Sequence, residues 1–293
     1  APPEIYTLSL HDALPISFGT SAPELAVTVV AAIAGTGELA FGNIVGSNLF
    51  NGLAILGLSA VVAPLVVDRK LVRFDLPVMI AASVVVGLMA LDGRIGRLDG
   101  AILLVGLAAY LGISVRKERR RMQDQDRAGD PPGGAVGGGR FGTAWLVSGV
   151  VVGLGLLVLG SHLLVTGAVQ VARAFGVSER VIGLTLVAGG TSLPELATSV
   201  VASLRGQRDI AVSNIVGSNI FNLLCVLALA ATILPLPVAA DALKADVPVM
   251  VGAAVLSLPV FRRGWSISRL EGSALLVAFV TYMTWVLMTG HAR

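Results

Sequence analysis

The sequence predicts an all-α membrane protein built as an inverted repeat of two five-helix halves. Three observations carry that expectation. The composition is that of a lipid-facing chain: of 293 residues, 55% are hydrophobic and 13% charged, with a mean hydropathy of +0.85. Soluble domains carry roughly a quarter charged residues, and a soluble fold of this size could not cover so much apolar surface. A block of sequence occurs twice. The apolar runs after the midpoint are odd in number, so the two copies enter the bilayer from opposite sides.

Apolar runs long enough to span, about 20 residues each, fall at 18–34, 40–65, 75–91, 99–115, 143–170, 180–203, 210–236, 246–261 and 270–289. Between the fourth and fifth, residues 116–140 hold a basic run at 116–121, then Pro131, Pro132 and several glycines. That composition predicts a solvated, flexible linker between a first half, 18–115, and a second half, 141–293. Residues 19–51 and 190–222 align at a constant offset of 171, with 20 of 33 positions identical. The correspondence continues through Asp75-x-Pro77-x-Met79 and Asp246-x-Pro248-x-Met250. One duplication of a multi-helix unit suggests a transporter rather than a solenoid. With the linker cytoplasmic, loops 68–74, 116–140, 204–209 and 261–269 are internal and carry 15 of the 21 Lys and Arg. The positive-inside rule favours that orientation.

The N-terminus fits neither half. Residues 6–16, YTLSLHDALPI, read as a translated sequencing adapter, and residues 1–17 are expected to be non-native. A signal peptide would need a positive n-region and an uninterrupted apolar core. On that expectation the first half is incomplete, and about nine spans remain.

Glu24 and Glu195 lie inside apolar runs. A carboxylate at mid-membrane costs about 3 kcal/mol on insertion scales and normally faces a cavity or a partner. A protonated Glu shared between helices is the plainer alternative; two at equivalent positions of an inverted duplication weigh against it. Each follows a proline, Pro23 or Pro194, which withdraws an amide donor and is expected to free the carbonyl of Gly19 or Gly190. Thr20 and Ser21 precede Glu24 by four and three residues, as Thr191 and Ser192 precede Glu195. Each motif therefore gathers two hydroxyls and a carboxylate within one turn. These are hard oxygen donors, suited to Ca²⁺, Na⁺ or Mg²⁺ and unsuited to zinc or copper.

A second element, Asn-Ile-Val-Gly-Ser-Asn-x-Phe-Asn, follows in each half. Asn43, Ser47 and Asn51 are spaced by four, as are Asn214, Ser218 and Asn222, giving a polar stripe on an apolar helix. Asn43 and Asn214 are also suited to bonding between helices, and Gly46 and Gly217 to close helix approach. Glu38 and Asp209 begin spans, where an acid complements the helix dipole. Asp75 and Asp246 read as N-caps. Cys225 and His162 read as packing residues. No basic stretch is interleaved with aromatics, so nucleic acid is not an expected partner. No nucleophile elbow, metal-ligating His cluster or paired Asp motif points to an enzyme.

The paired GTSxPEL…GSNxFN blocks resemble the two alpha-repeats of the cation/calcium exchanger superfamily, in its bacterial sodium/calcium exchanger-like branch. The resemblance implies ten spans as five plus five inverted, alternating access, and antiport of Ca²⁺ for Na⁺ at the repeat interface. It places side-chain ligands on Thr20, Ser21, Glu24, Ser47 and Asn51, and on Thr191, Ser192, Glu195, Ser218 and Asn222. It also implies a backbone carbonyl ligand at Ala188, whose counterpart Ser17 falls in the segment expected to be non-native. Some members carry Asp where Asn51 and Asn222 stand, which leaves H⁺ open as a counter-ion. A passive cation channel is the reading from a different class. The implied setting is a bacterial inner membrane, multi-pass, with no cofactor beyond the transported ions and no protein partner.

Overall fold

The computed structural model describes residues 19–128 and 169–289, together with 152, 153, 155, 156, 159, 160, 163, 166 and 167. The expectations for residues 1–17, for His162 and for most of the run at 143–170 lie outside the described residues. Within them the protein is helical, as the apolar runs require. Six helices are long and apolar enough to cross a bilayer, or seven if one bent pair counts as a single span.

In the first half, α1 (Ala22–Ile33) is a short apolar helix and α2 (Gly37–Val62) a full span. A short helix α3 (Arg69–Arg73) precedes α4 (Asp75–Asp92) and α5 (Arg97–Ala128). In the second half, α6 (Glu179–Thr191) and α7 (Leu193–Leu204) form the bent pair, followed by α8 (Arg208–Ile233), α9 (Ala242–Arg262) and α10 (Arg269–Thr289). The helix α5 corrects one expectation: it runs through 116–128, where a flexible linker was expected to begin. Arg, Lys, Glu, Gln and Met dominate that stretch and are all good helix formers, so a charged sequence leaves the bilayer without leaving the helix. Glu38 and Asp209 do sit in the first turns of α2 and α8.

The centre is made by α2 and α8. Their spanning windows are 72% and 78% buried, against 22% and 17% for α5 and α10, whose exposed Leu270, Val277 and Met288 suit a lipid-facing surface. Small residues let the inner helices touch backbone to backbone. A Cβ on Gly46 of α2 would collide with the Leu184 carbonyl and lie 2.6 Å from the Ala188 Cβ, and one on Gly183 of α6 would collide with the Leu39 carbonyl. Two short antiparallel pairings then tie the halves together. Strand β1 (Leu65–Val66) pairs with β4 (Ser266–Ile267), and β2 (Arg94–Ile95) with β3 (Leu236–Pro237). Each joins a connection of one half to one of the other, in a two-fold related arrangement.

Candidate ion-binding site

Both Gly-Thr-Ser-x-Pro-Glu motifs break their helix at the serine. Residues 19 and 20 are helical, Ser21 turns (φ −86°, ψ 9°), and α1 begins at Ala22. Ser192 adopts the same backbone (φ −83°, ψ 7°) between α6 and α7, which are bent by 45°. The proline therefore acts differently from the expectation of a freed carbonyl in a continuous helix. Pro23 and Pro194 are the second residues of new helices, where an amide has no intrahelical acceptor to lose, and Gly190 is not left without a partner. Glu24 and Glu195 consequently stand in first turns, where unpaired amides and the positive end of the dipole favour a carboxylate.

The breaks bring the halves into reciprocal contact. Ser21 Oγ donates to Glu195 Oε1 at 2.9 Å, and Ser192 Oγ donates to Glu24 Oε1 at 3.1 Å. Each serine thus orients the other half's carboxylate, and both carboxylates are fully buried. Asn43 and Asn214 take the interhelical role. Asn43 Nδ2 donates to Thr28 at 2.9 Å while its Oδ1 accepts from Thr191 at 3.2 Å; Asn214 Nδ2 donates to Ser199 at 3.3 Å. Thr20 is buried and also has a partner. The Ala188 carbonyl accepts the Ser192 amide at 3.0 Å and lies 3.3 Å from the Thr191 hydroxyl.

Six buried oxygens at two-fold related positions have no hydrogen-bond partner among the described residues: Oε2 of Glu24 and Glu195, Oγ of Ser47 and Ser218, and Oδ1 of Asn51 and Asn222. Leaving one such group unsatisfied costs about 1–3 kcal/mol, so the six together form a candidate site for a group that accepts oxygen donors. The two asparagines sit where α2 and α8 widen into π-helical turns, Phe50–Ile55 and Asn222–Val226, a distortion common at functional sites. Ser59 Oγ is unpartnered too, but its counterpart is Ala230 and it belongs to neither motif. Among the described residues no group of three or more His, Cys, Asp or Glu occurs. The arrangement is two carboxylates with neutral hydroxyl and amide oxygens, a hard-cation donor set.

Away from these oxygens, one reading is corrected. Asp75 and Asp246 do not cap helices. Both are buried, and Asp75 accepts from the Tyr110 hydroxyl at 2.9 Å. Asp246 accepts from Tyr282 and from both Arg180 Nε and an Arg180 terminal nitrogen at 2.6 Å each. Local spacing suggested a cap because the acid stands two residues before a proline. The signal for the true role was the repeat itself, since Tyr110 and Tyr282 are equivalent positions.

The sodium/calcium exchanger protein family model matches residues 13–116 and 145–288. The chain belongs to the sodium/calcium exchanger family. Within it, the chain is 38% identical to the putative antiporter CaxA of Alkalimonas amylolytica over 278 residues, covering 91% of this chain and 84% of that one. It is 35% identical to inner membrane protein YrbG of Escherichia coli over 277 residues, 92% and 83% of the two chains. The sodium-calcium exchanger NCX_Mj, in a structure obtained with 10 mM Na⁺ and 10 mM Sr²⁺, superposes with a TM-score of 0.74 at 29% identity, covering 95% and 88%. The family is one of multi-pass membrane transporters, and this chain is a cation exchanger of its bacterial branch.

Proposed function

We propose that the protein exchanges Ca²⁺ for Na⁺ by alternating access, with Glu24, Glu195, Ser47, Ser218, Asn51 and Asn222 as its principal side-chain ligands and Thr20, Ser21, Thr191, Ser192 and the Ala188 carbonyl around them. The carrying observation is the two-fold set of six buried, unpartnered oxygens. Two carboxylates balance one Ca²⁺, and hydroxyl and amide oxygens complete a coordination shell of the 6–8 oxygens that Ca²⁺ takes. Na⁺ ions compete for the same oxygens, so occupancy by one ion excludes the other, and exchange follows when the site opens to each side in turn. The Ser21–Glu195 and Ser192–Glu24 bonds support this, because they make both halves contribute to each carboxylate's position.

The linker is assigned to the cytoplasm. The charge distribution supports this orientation, and the strand pairings fit it: β1–β4 joins two connections bordering the basic internal loops, and β2–β3 two connections on the opposite side. Purified protein in liposomes loaded with Na⁺ should take up radiolabelled Ca²⁺ on dilution into Na⁺-free buffer, and Glu195→Gln should abolish it. Unchanged uptake by that variant would sink the site assignment. Neutral Asn51 and Asn222 leave only two acids in the site, which favours a second reading, Ca²⁺/H⁺ exchange. Uptake driven by a pH gradient without Na⁺ would assign the proton instead; uptake indifferent to every counter-ion gradient would indicate a channel.

A further inference from the structure

Asn51 and Asn222 are equivalent in sequence but not in surroundings. Asn51 Nδ2 donates to Asn219 Oδ1 at 3.0 Å, and among the described residues Asn51 Oδ1 alone of the two amide ends lacks a partner. Asn222 has neither its oxygen nor its nitrogen partnered among the described residues. The orientation of Asn219 is itself determined. Its Nδ2 points at the Asn48 backbone carbonyl, 3.5 Å away, and at the Met79 sulfur, 3.7 Å away. Both of those are acceptors, so the nitrogen end of Asn219 must face them and the oxygen end must face Asn51. Asn51 then answers with its nitrogen, which turns its carbonyl oxygen the other way. In the opposite half the chain of bonds is interrupted. Asn48, the counterpart of Asn219, donates its Nδ2 to the Ile44 carbonyl of its own helix at 2.8 Å.

We infer that Asn219 is a positioning residue that fixes Asn51 as a preformed oxygen ligand, while Asn222 remains free to turn its amide as the bound ion changes. The inference rests on the reading that Asn51 faces the transported cation. An Asn is a cation ligand only through its oxygen; presenting the amide nitrogen would place a partial positive charge against the ion. A side chain that prevents the flip therefore raises affinity without touching the ion. The second-repeat amide, without a hydrogen-bond partner among the described residues, suits a site that must accept ions of different charge in turn.

The test is a double-mutant cycle on apparent Ca²⁺ affinity in liposome uptake, using Asn219→Leu and Asn51→Asp. Asn219→Leu alone should raise the apparent KM for Ca²⁺ roughly tenfold while changing the maximal rate less than about twofold. In the Asn51→Asp background the same substitution should shift KM less than about twofold, because both carboxylate oxygens are acceptors and a flip changes nothing. Equal losses in the two backgrounds would assign Asn219 a packing role and overturn the proposal. If the leucine variant does not give a monodisperse protein, Asn219→Ala takes its place in the same cycle with the same expected contrast. Asn51→Ala separates the two readings: unchanged KM in that variant removes Asn51 from the site, whereas a raised KM with equal losses in the cycle rejects only the positioning role.

Discussion

Asp75 and Asp246 occupy the same place in the two halves and are held in different ways. Asp75 accepts one hydrogen bond from Tyr110 among the described residues, whereas Asp246 accepts from Tyr282 and is clamped by Arg180 as well. The duplication kept the acid and its tyrosine. The arginine comes from the helix that leads into the second motif, and it is 7% exposed against 1% for Asp246. At the candidate site the carboxylates, hydroxyls and serine cross-bonds are matched pair by pair. The comparison teaches that two-fold symmetry is kept by the carboxylates and the serines that bond to them, and is relaxed at Asn51 and Asn222 and in the shell that anchors the helices.

The strongest challenge to the matching of the carboxylates is to neutralise each one separately. Glu24→Gln and Glu195→Gln should each lower Na⁺-driven Ca²⁺ uptake by about 100-fold or more, since ligand charge sets affinity for a hard divalent ion. Appreciable uptake in one variant alone would show that the halves are not functionally equal. In the anchoring shell, Arg180→Met strands a buried Asp246 and should cost about 3–5 kcal/mol, read as a lowered melting temperature of the solubilised protein. Adding Asp246→Asn should recover most of the loss, because the stranded charge is then gone; no recovery would locate the cost in packing. Smaller effects should separate the two tyrosines. Tyr110→Phe removes the side-chain hydrogen bond to Asp75 and should cost about 1.5–3 kcal/mol. Tyr282→Phe, with Arg180 still clamping Asp246, should cost about 1 kcal/mol or less. A reversed order would mean that Arg180 contributes less than its geometry indicates.

Much of the candidate site was legible because its residues repeat at a fixed offset. Glu24 and Glu195, Ser47 and Ser218, and Asn51 and Asn222 emerge from the alignment of the chain with itself, and among the described residues they carry seven of the eight buried side-chain atoms without a hydrogen-bond partner. The roles of Asn43 and Asn214 stayed open, since a polar residue on an apolar helix reads the same whether it meets an ion or a neighbouring helix. Asp75 and Asp246 were misread because a cap is a local pattern, while their partners Tyr110 and Tyr282 stand 35 and 36 residues away. The stretch at 116–128 departs from the linker expectation because helix propensity suffices to carry α5 into charged sequence.

By itself the sequence determined that this is a membrane protein of two homologous halves, and which residues are candidates to meet a hard cation. Those properties depend on composition, periodicity and repetition, all carried along the chain. Only the tertiary structure decided that the helices break at Ser21 and Ser192, that each serine serves the opposite glutamate across 174 or 168 residues, and that Asn219 orients Asn51. Such contacts depend on how closely the glycine-lined helices approach and on which end of each polar side chain finds a partner. No local pattern encodes either.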